Sequence, residues 1–401
     1  MKILVINAGS SSIKYQLFEM DGRVALVSGV VERIGEAMGT IKHKVLRTPP
    51  QTIKEETPVP THQDGLSRVI QLLLDDDVGV IDSPDDITAI GHRVVHGGEM
   101  FSAPTIITDD VTRVIDELSS LAPLHNPANL AGIRVAQTLF PHATQVAIFD
   151  TAFHQTLPPH AFRYAIPNEL YEQDNVRVYG FHGTSHLYVS KVAAEYLDKP
   201  LADTRVITAH LGNGASMAAV DGGKSVDTSM GFSPLAGLMM GTRSGDLDPA
   251  VVLFLASERG MSSADIDRIL NKQSGLTGIC GENDLRDIEH RAADGDDAAQ
   301  LALDMYAYRI KKHIGMYTAV LGTVDALIFT AGVGENSNVV RQKVCAGLEH
   351  LGWTLDQTKN AQGVQGVVTE IQADVSRSKI LIIPTNEELE IALQTEAVLT
   401  D

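Results

Sequence analysis

Three glycine-containing loops in this sequence carry groups that could bind an anion. The first, NAGSSS at residues 7–12, offers a glycine for close backbone approach and several hydroxyl groups, and Lys14 follows it. The second is HLGNG at residues 210–214. The third, TAGVGENS at residues 330–337, is predicted to end a strand and begin a helix, whose N-terminal dipole favours negative charge. Each loop alone is compatible with an ordinary polar turn, but the three together favour a phosphate ligand.

The common nucleotide-binding motifs are incomplete in this sequence. GGKS at residues 222–225 matches the end of a P-loop, but Ala218 stands where its first glycine should be, and the segment is predicted to be a hairpin turn. Neither GNGASM nor GVGENS completes a GxGxxG motif. The residues therefore argue against a P-loop or a Rossmann nucleotide site.

Two arginines occupy glycine-containing segments of an otherwise acidic chain. Arg93 lies in GHRVVHGGE and Arg243 in GTRSGDLDP. A guanidinium in such a place can hold a carboxylate or a phosphate through two hydrogen bonds. The alternative is a buried ion pair, for example between Arg243 and Asp246 or Asp248.

Histidines supply a second kind of candidate. His182 and His186 in FHGTSH have the spacing of two zinc ligands, but Gly-Thr-Ser separates them rather than a helix carrying a glutamate base. We therefore favour a histidine that donates a hydrogen bond to a transferring group. His125 in PLHNPAN could equally be a structural loop residue.

Carboxylates follow two predicted buried strands. Asp150 ends VAIFD, and Glu387 and Glu388 lie in IPTNEEL after the last strand. In α/β folds the carboxyl ends of strands commonly face the ligand crevice. Because Mg²⁺ bound to phosphates needs only one or two protein carboxylates, these side chains are candidate ligands.

The order of patterns predicts an α/β protein with an internal repeat. Strand-like runs alternate with helical ones, and residues 6–11 align with residues 209–214, each set preceding a short strand and an Asp-Gly turn. This repeat predicts two related domains that face each other across their loops. A long helix is predicted from residue 296 to residue 321, and its core face is predicted to carry Leu301, Met305, Ile310, Ile314, Tyr317 and Leu321.

Composition excludes several classes of protein. With 51 acidic and 32 basic residues the net charge is −19, which disfavours nucleic acid and anionic membranes as partners. The 44% hydrophobic content predicts a folded protein, while no apolar run reaches the ~18 residues of a membrane span. Two cysteines are too few for a disulfide framework, and the apolar run before Asn7 is too short for the hydrophobic region of a signal peptide. We expect a cytoplasmic protein whose two thiols are buried.

A series of segments from residue 3 to residue 390 resembles the acetokinase family of short-chain carboxylate kinases. The segments are VINAGSSSIKYQL, GHRVVHGGE, APLHNPANL, FDTAFHQTLP, YGFHGTSH, HLGNGAS, SVDTSMGFSPLAGLMMGTRSGDLDP, FTAGVGENS and IPTNEEL. The resemblance implies the actin-like fold of sugar kinases and heat-shock ATPases, in which two duplicated α/β domains enclose a cleft. It places an N-terminal, substrate-side domain at residues 1–150 plus 386–401 and a nucleotide-side domain at residues 151–385.

The resemblance also implies a role for individual residues. The implied catalytic residues are Asp150, His182, Arg243 and His125. The implied substrate-binding residues are Arg93, Val95, Leu124, Phe181 and Pro234. Mg²⁺ would be placed by Asn7 and Glu387. The nucleotide-binding residues would be Ser10, Ser12, Lys14, His210, Leu211, Gly212, Asn213, Gly214, Asp284, Leu285, Arg286, Gly332, Val333, Gly334, Glu335 and Asn336.

The activity implied by the resemblance is reversible transfer of the γ-phosphoryl group of ATP to acetate, giving acetyl phosphate and ADP. It implies Mg²⁺, with Mn²⁺ as a substitute, and a homodimer. Propionate or another short acyl acceptor is the alternative substrate. A nucleotide-operated binding module like the heat-shock ATPases is a second alternative, disfavoured because no separate peptide-binding domain follows residue 390.

Two features qualify this resemblance. The family assigns Asp150 as an acid/base residue, yet a simple carboxylic acid with a pKa of roughly 4 to 5 is already ionised at neutral pH, so orienting Arg93 or the metal's waters fits equally well. Leu187, Ser233 and Ala236 depart from the family's common residues. None of these three is assigned to the chemistry.

Overall fold

Apolar runs become strands and amphipathic segments become helices in the computed structural model, which describes residues 1–123 and 125–400. The described chain forms two compact units, Met1–Phe153 with the segment from Asn386, and His154–Thr385. The predicted α/β class is confirmed. Each unit is built around its own sheet.

The first unit begins with these elements: β1 (Lys2–Ala8), β2 (Ser12–Glu19), β3 (Val24–Glu32), β4 (Gly39–Val45), β5 (Gln51–Thr57), α1 (His62–Leu73), β6 (Ile87–Val94), β7 (Thr105–Ile106), α2 (Asp109–Glu117), α3 (Asn126–Leu139) and β8 (Thr144–Phe149). The second unit contains α4 (Pro159–Phe162), α5 (Asn168–Asp174), α6 (Gly183–Tyr196), β9 (Arg205–Leu211), β10 (Ala215–Asp221), β11 (Lys224–Thr228), α7 (Pro249–Ser257), α8 (Ser263–Lys272), α9 (Gly275–Cys280), α10 (Leu285–Ala293), α11 (Asp297–Leu321), β12 (Ala326–Thr330), α12 (Ala331–Asn336), α13 (Asn338–Cys345), α14 (Gln357–Gln362), β13 (Thr369–Glu370) and β14 (Lys379–Ile382). The last helix, α15 (Glu387–Thr400), belongs to the first unit.

The two sheets share one topology, which confirms the internal repeat. Among the described residues the sheet orders are β5-β4-β3-β2-β1-β6-β8-β7 and β11-β10-β9-β12-β14-β13. In each, an antiparallel meander of three strands is followed by two strands parallel to the first, giving β3-β2-β1-β6-β8 and β11-β10-β9-β12-β14. Residues 9–11 and residues 212–214 join the first two strands of the two copies. The aligned loops of the sequence are therefore equivalent in structure.

The first sheet is covered by helices on both faces. Alternate residues of β1 point in opposite directions, so Leu4 and Ile6 pack in the cluster that includes Leu66 of α1, while Ile3 packs with Ile391 of α15. Helix α1 is capped by Thr61, whose hydroxyl and Asp64 form a capping box worth about 1 kcal/mol. Helix α15 therefore completes the core of the first unit, although the residues that precede it in the chain, up to Thr385, belong to the second unit.

Helix α11 forms where the sequence predicts it but buries a different face in its first turns. Asp296 caps its N-terminus, and Ile310 and Ile314 are buried as expected. Leu301 is 53% exposed and Met305 is only half-buried, because the core contacts there are made by other residues. The buried residues of those turns are Ala299, Ala302, Leu303, Tyr306 and Ala307.

The structure also bears on the predictions for the GGKS segment, for the two cysteines and for membrane-spanning helices. GGKS is a hairpin, with Gly222 and Gly223 between β10 and β11 in the left-handed region. Cys280 and Cys345 are buried free thiols, as predicted. No helix within the described part of the chain has the length and apolarity to cross a membrane.

Candidate active site

In the first unit, Arg93 and Asp150 come from the ends of neighbouring parallel strands. Arg93 is on β6, and Asp150 follows β8, with its backbone N–H donating to the carbonyl of Val94. Nε of Arg93 donates to Oδ1 of Asp150 at 3.1 Å, and Nη2 donates to Oδ2. Asp150 is buried and Arg93 is 22% exposed. The guanidinium is therefore held by an ion pair while part of it stays accessible.

Asn7, Lys14 and Glu387 surround the same arginine. Nη1 of Arg93 is 3.4 Å from Oδ1 of Asn7, and Asn7 pairs directly with Lys14 across β1 and β2, so both side chains lie on one face. Burial lowers the pKa of Arg93, but Asp150 and Glu387 outweigh it and raise the pKa. Ser10 and Ser12 belong to the adjacent loop and strand. Asn7, Asp150 and Glu387, three of the sequence candidates of the first unit, thus lie around one guanidinium.

Glu387 has the electrostatic properties of a cation ligand. Burial and the charges of Asp150 and Glu388 raise its pKa to about 7, against the opposing effect of Arg93 and Lys14. Carboxylate and amide oxygens suit Mg²⁺, and a divalent cation would relieve the repulsion among these carboxylates. No cluster of three or more His, Cys, Asp or Glu with metal-holding geometry occurs in the described ranges. Asn7 and Glu387 therefore fit a cation that takes few protein ligands.

Two buried asparagines hold this part of the first unit together. Oδ1 of Asn129 accepts from the backbone N–H of Val95, and its Nδ2 donates to the carbonyl of Ala8 at 2.7 Å. Asn126 likewise makes two hydrogen bonds to the backbone of His96, in which its Oδ1 accepts from the N–H and its Nδ2 donates to the carbonyl. The sequence analysis missed both residues, although polar side chains on an otherwise apolar helix were a usable signal. His125 lies just before α3, and Leu124 falls outside the described residues.

Three predicted nucleotide segments meet in a pocket of about 720 Å³ in the second unit. Its lining includes, from the sequence candidates, Gly212, Asn213, Asp284, Leu285, Arg286, Gly332, Val333 and Asn336. Residues that the sequence analysis missed are Gly241, Leu276, Asn283, Glu289, Tyr306 and Ser337. Tyr306 was not predicted as a pocket residue, because its position on a long apolar helix indicates a core residue. Its hydroxyl is buried and has no hydrogen-bond partner among the residues that the structure describes.

The pocket is shaped by glycines and by the start of a helix. A Cβ atom on Gly241 would lie 2.0 Å from Oδ1 of Asn213, so a larger residue there would displace the Asn213 side chain. Asp284 caps α10 by accepting from the backbone N–H of Arg286, and its ion pair with the Arg286 guanidinium lowers its pKa to about 2. Arg286 is mostly exposed and already paired.

Other nucleotide candidates of the second unit lie outside this lining. The carbonyl of Gly334 accepts from buried Arg341, and Oε1 of Glu335 accepts from the backbone N–H of Thr385. Leu211 is fully buried on β9. Ser10, Ser12 and Lys14 belong to the first unit, where Lys14 lines a separate pocket of about 320 Å³ with Lys42 and Lys44.

His182 and Arg243 converge on the second-unit loop at Gly214. The Cβ position that glycine leaves empty is 3.5 Å from Nη1 of Arg243 and 3.7 Å from Nε2 of His182. Nη1 of Arg243 also donates to the carbonyl of Pro234 at 3.2 Å. The proposed ion pairs with Asp246 and Asp248 are not formed, because these carboxylates accept from the backbone of Gly237 and Ala250.

The arginine charge at this point has no carboxylate partner among the described residues. Burial alone lowers the pKa of Arg243, and no salt bridge to it is present in residues 1–123 or 125–400. An unpaired, half-buried guanidinium is costly unless an anion binds it. The space beside Gly214 is therefore suited to a phosphate group.

The backbone at His182 is strained. It has φ 57° and ψ 26° and precedes the first residue of α6, so the helix begins at Gly183. The expectation that no helix joins His182 and His186 is wrong, because Gly183, Thr184 and Ser185 form its first turn. The left-handed conformation turns the His182 ring onto His210, with ring centroids 4.2 Å apart.

Comparison with known proteins agrees with this geometry. The profile of the acetokinase family matches residues 2–393. An acetate kinase of Nitratidesulfovibrio vulgaris (strain DP4) is 53% identical over 401 residues, which is 100% of both chains. The chain therefore belongs to the acetokinase family, whose members are kinases that transfer a phosphoryl group to a carboxylate.

Two solved structures of the same family are close to this one. The crystal structure of Porphyromonas gingivalis acetate kinase has a TM-score of 0.94 at 45% identity, covering 99% of each chain. A propionate kinase from Francisella tularensis has a TM-score of 0.92 at 43% identity, also covering 99% of each chain. The fold that the resemblance implied is thus the fold of the chain.

Proposed function

We propose that this protein is an acetate kinase, which transfers the γ-phosphoryl group of ATP reversibly to acetate and forms acetyl phosphate and ADP. The observation that carries the proposal is the convergence of Arg243 and His182 on the gap at Gly214, beside a pocket lined by the predicted nucleotide loops. Family membership favours such a kinase over a nucleotide-operated binding module.

The first unit supplies the acceptor side in this proposal. Arg93 binds the acetate carboxylate, while Asp150 holds the guanidinium in place through its two hydrogen bonds. The acceptor oxygen is already ionised at neutral pH, so no base has to remove a proton from it. Asp150 therefore acts as a positioning residue rather than as an acid/base catalyst.

The second unit supplies the nucleotide side. The adenine nucleotide occupies the pocket beside residues 212–213, 284–286 and 332–336. An acceptor oxygen then attacks the γ-phosphorus in line, and the bond from that phosphorus to the β-γ bridging oxygen of ATP breaks. Arg243 and His182 donate hydrogen bonds to the transferring group and compensate its negative charge. His125 is a further donor near the phosphoryl path in this proposal.

Asn7 and Glu387 would hold Mg²⁺ or Mn²⁺. When bound, the cation neutralises charge on the phosphate oxygens and helps to orient them. The raised pKa of Glu387 and the amide oxygen of Asn7 beside Arg93 support this assignment.

Acetate is the preferred acceptor in this proposal because Val95 leaves less room for the acyl chain than a smaller residue would. The family's methyl-binding pocket corresponds to Val95, Phe181 and Pro234, together with Leu124, which lies outside the described residues. Propionate is the second candidate, favoured by the similarity to the Francisella tularensis propionate kinase. One methylene in an apolar pocket changes specificity by only about 1–3 kcal/mol.

The direct test traps the product. With ATP, Mg²⁺, acetate and hydroxylamine, the protein should form acetohydroxamate, because hydroxylamine displaces phosphate from acetyl phosphate. Reactions without ATP or without acetate are the controls. Intact nucleotide binding with no hydroxamate from acetate or propionate would contradict the proposal and favour a binding module.

A homodimer in the cytoplasm is the proposed setting. Helix α7 supports a partner chain, since Val251, Leu253 and Phe254 are 42%, 69% and 53% exposed. The two buried free thiols are compatible with a reducing compartment. Light scattering of the wild-type protein and of Leu253→Glu tests the assembly, since the proposal expects a dimer that the charged variant weakens.

A further inference from the structure

A chain of buried polar side chains runs behind His182 in the second unit. Oγ1 of Thr208 lies 2.7 Å from Nδ1 of His186, and Nε2 of His186 lies 2.8 Å from Oγ of Ser216. The same Ser216 oxygen is 2.8 Å from Nδ1 of His182. Thr208, His186 and Ser216 are all fully buried. A serine thus bridges two histidines, and only His182 lies beside the gap at Gly214.

The buried Ser216 hydroxyl proton is bonded only if Ser216 donates to one of the two histidines, and the protons of this chain then run in one of two directions. In the outward direction, Thr208 donates to Nδ1 of His186, Nε2–H of His186 donates to Ser216, and Ser216 donates to Nδ1 of His182. The ring proton of His182 then lies on Nε2. In the inward direction every donor and acceptor is exchanged, the ring proton of His182 lies on Nδ1, and the Thr208 proton needs another acceptor.

The distances favour the outward direction. The other acceptor near the Thr208 hydroxyl is the carbonyl of Ala218 at 3.4 Å, against 2.7 Å to Nδ1 of His186. Hydrogen bonds between hydroxyl and carbonyl oxygens normally span about 2.7–2.8 Å, so the inward direction leaves the buried Thr208 proton poorly bonded.

His186 has the charge state that such a chain requires. Burial, with His154 and His210 nearby, lowers its pKa well below the usual value, so the ring is neutral and has a single N–H. The ring of His154 is 5.7 Å away and that of His210 is 6.2 Å away. His154 is itself neutral at physiological pH, since burial lowers its pKa to about 4.

We propose that Thr208, His186 and Ser216 are positioning residues that hold His182 in the Nε2–H tautomer, so that its outer nitrogen donates to the transferring phosphoryl group. The inference rests on the proposed function for that last step, but the tautomer is a property of the protein alone. A neutral His182 can then donate to the phosphoryl group, and turnover does not require its imidazolium form.

Two measurements test the proposal. The first is a long-range ¹H–¹⁵N spectrum of wild-type protein with ¹⁵N-labelled histidine at about pH 8, with the His182 signals assigned from a His182→Gln sample. We expect a bare Nδ1 and a protonated Nε2. A protonated Nδ1 in neutral His182 would overturn the proposal whatever the enzyme's substrate is.

The second measurement is the pH dependence of kcat in Ser216→Ala, with Ser190→Ala as the matched control. Ser190 is also a fully buried serine, but its hydroxyl donates to the backbone carbonyl of His186 and lies outside the chain. Loss of Ser216 lets neutral His182 exchange between its two tautomers, so turnover at about pH 8.5 should fall about twofold or more, in proportion to the Nε2–H fraction that is lost. The loss should shrink once the pH is low enough to protonate His182, because the imidazolium carries Nε2–H in any case. Ser190→Ala should keep the wild-type profile. A Ser216→Ala profile parallel to that of the wild type would overturn the proposal.

Discussion

Arg93 donates through Nε and Nη2 to the two carboxylate oxygens of Asp150, which follows the neighbouring parallel strand. This pairing uses one edge of the guanidinium and leaves Nη1, near Asn7, on the other side. A substrate carboxylate would meet an arginine whose orientation is already fixed, which reduces the entropy lost on binding.

Asp150→Asn tests whether that orientation is the role of Asp150. The amide keeps the shape but removes the charge and one acceptor, so kcat/KM for acetate should fall at least about tenfold. The pH dependence of the remaining activity should have the wild-type shape, because no proton is transferred through Asp150. A pH profile that loses one limb in the variant would identify an acid/base role instead.

Arg243→Ala should lower kcat by a factor of about 100 or more and change nucleotide affinity only modestly. The reason is that Arg243 has no ion-pair partner among the described residues, so in the proposed mechanism its charge acts on the transferring group. Steady-state kinetics and nucleotide titration measure the two effects. Arg268→Ala, which removes an exposed arginine from α8, is the control. Near-normal turnover in Arg243→Ala would refute the assignment.

Gly214→Ala should fold normally and lose turnover by roughly 100-fold. The added methyl group meets Arg243 and His182 at ordinary contact distances of 3.5 Å and 3.7 Å, but it fills the space proposed for the phosphoryl group. Gly315→Ala in α11 is the matched control, since its methyl group meets no atom within 4 Å. That control should gain about 0.5–1 kcal/mol of stability and keep its activity. Equal activity of the two variants would contradict the proposed site.

Glu387→Gln should change how stability depends on pH in the absence of divalent cations. Its folded pKa of about 7 exceeds the ordinary glutamate value, so its contribution to stability is fully present at low pH and is lost as the pH rises through 7. Urea unfolding at about pH 5 and pH 8 should therefore show a smaller loss of stability in the variant than in the wild type. Glu117→Gln on the exposed end of α2 is the control. An unchanged pH dependence in Glu387→Gln would argue against the raised pKa.

Val95→Ala should shift acceptor preference towards propionate. The wild type should favour acetate by about 10-fold to 200-fold in kcat/KM, and the smaller side chain should reduce that ratio. Val69→Ala, at a buried position of α1, is the control. This variant should lose stability and keep the wild-type ratio of kcat/KM for acetate to that for propionate. A wild-type preference for propionate would reverse the proposed substrate.

The sequence was sufficient for the local features that follow from residue type. The aligned loops at Gly9 and Gly212, the hairpin at Gly222 and the long helix α11 follow from glycine turns and apolar periodicity. The family resemblance left the orienting of Arg93 open as one role of Asp150. The residue pattern alone did not predict the pairing, because it requires two strand ends that are 57 positions apart in the chain to become neighbours. Tyr306 was missed since it lies on a helix whose pattern indicates only core packing, whereas Asn129 was missed although its polar side chain on α3 was a usable signal.

Helix α15 has a consequence for how the protein is made. It supplies Ile391 and Ala392 to the core around Ile3 and Val5, although the whole second unit lies between these segments in the chain. During synthesis the first unit emerges from the ribosome with that face of its sheet uncovered, and the second unit is complete before α15 appears. The unit translated first is therefore the unit that finishes folding last, and its exposed apolar face must be kept from aggregating in the meantime.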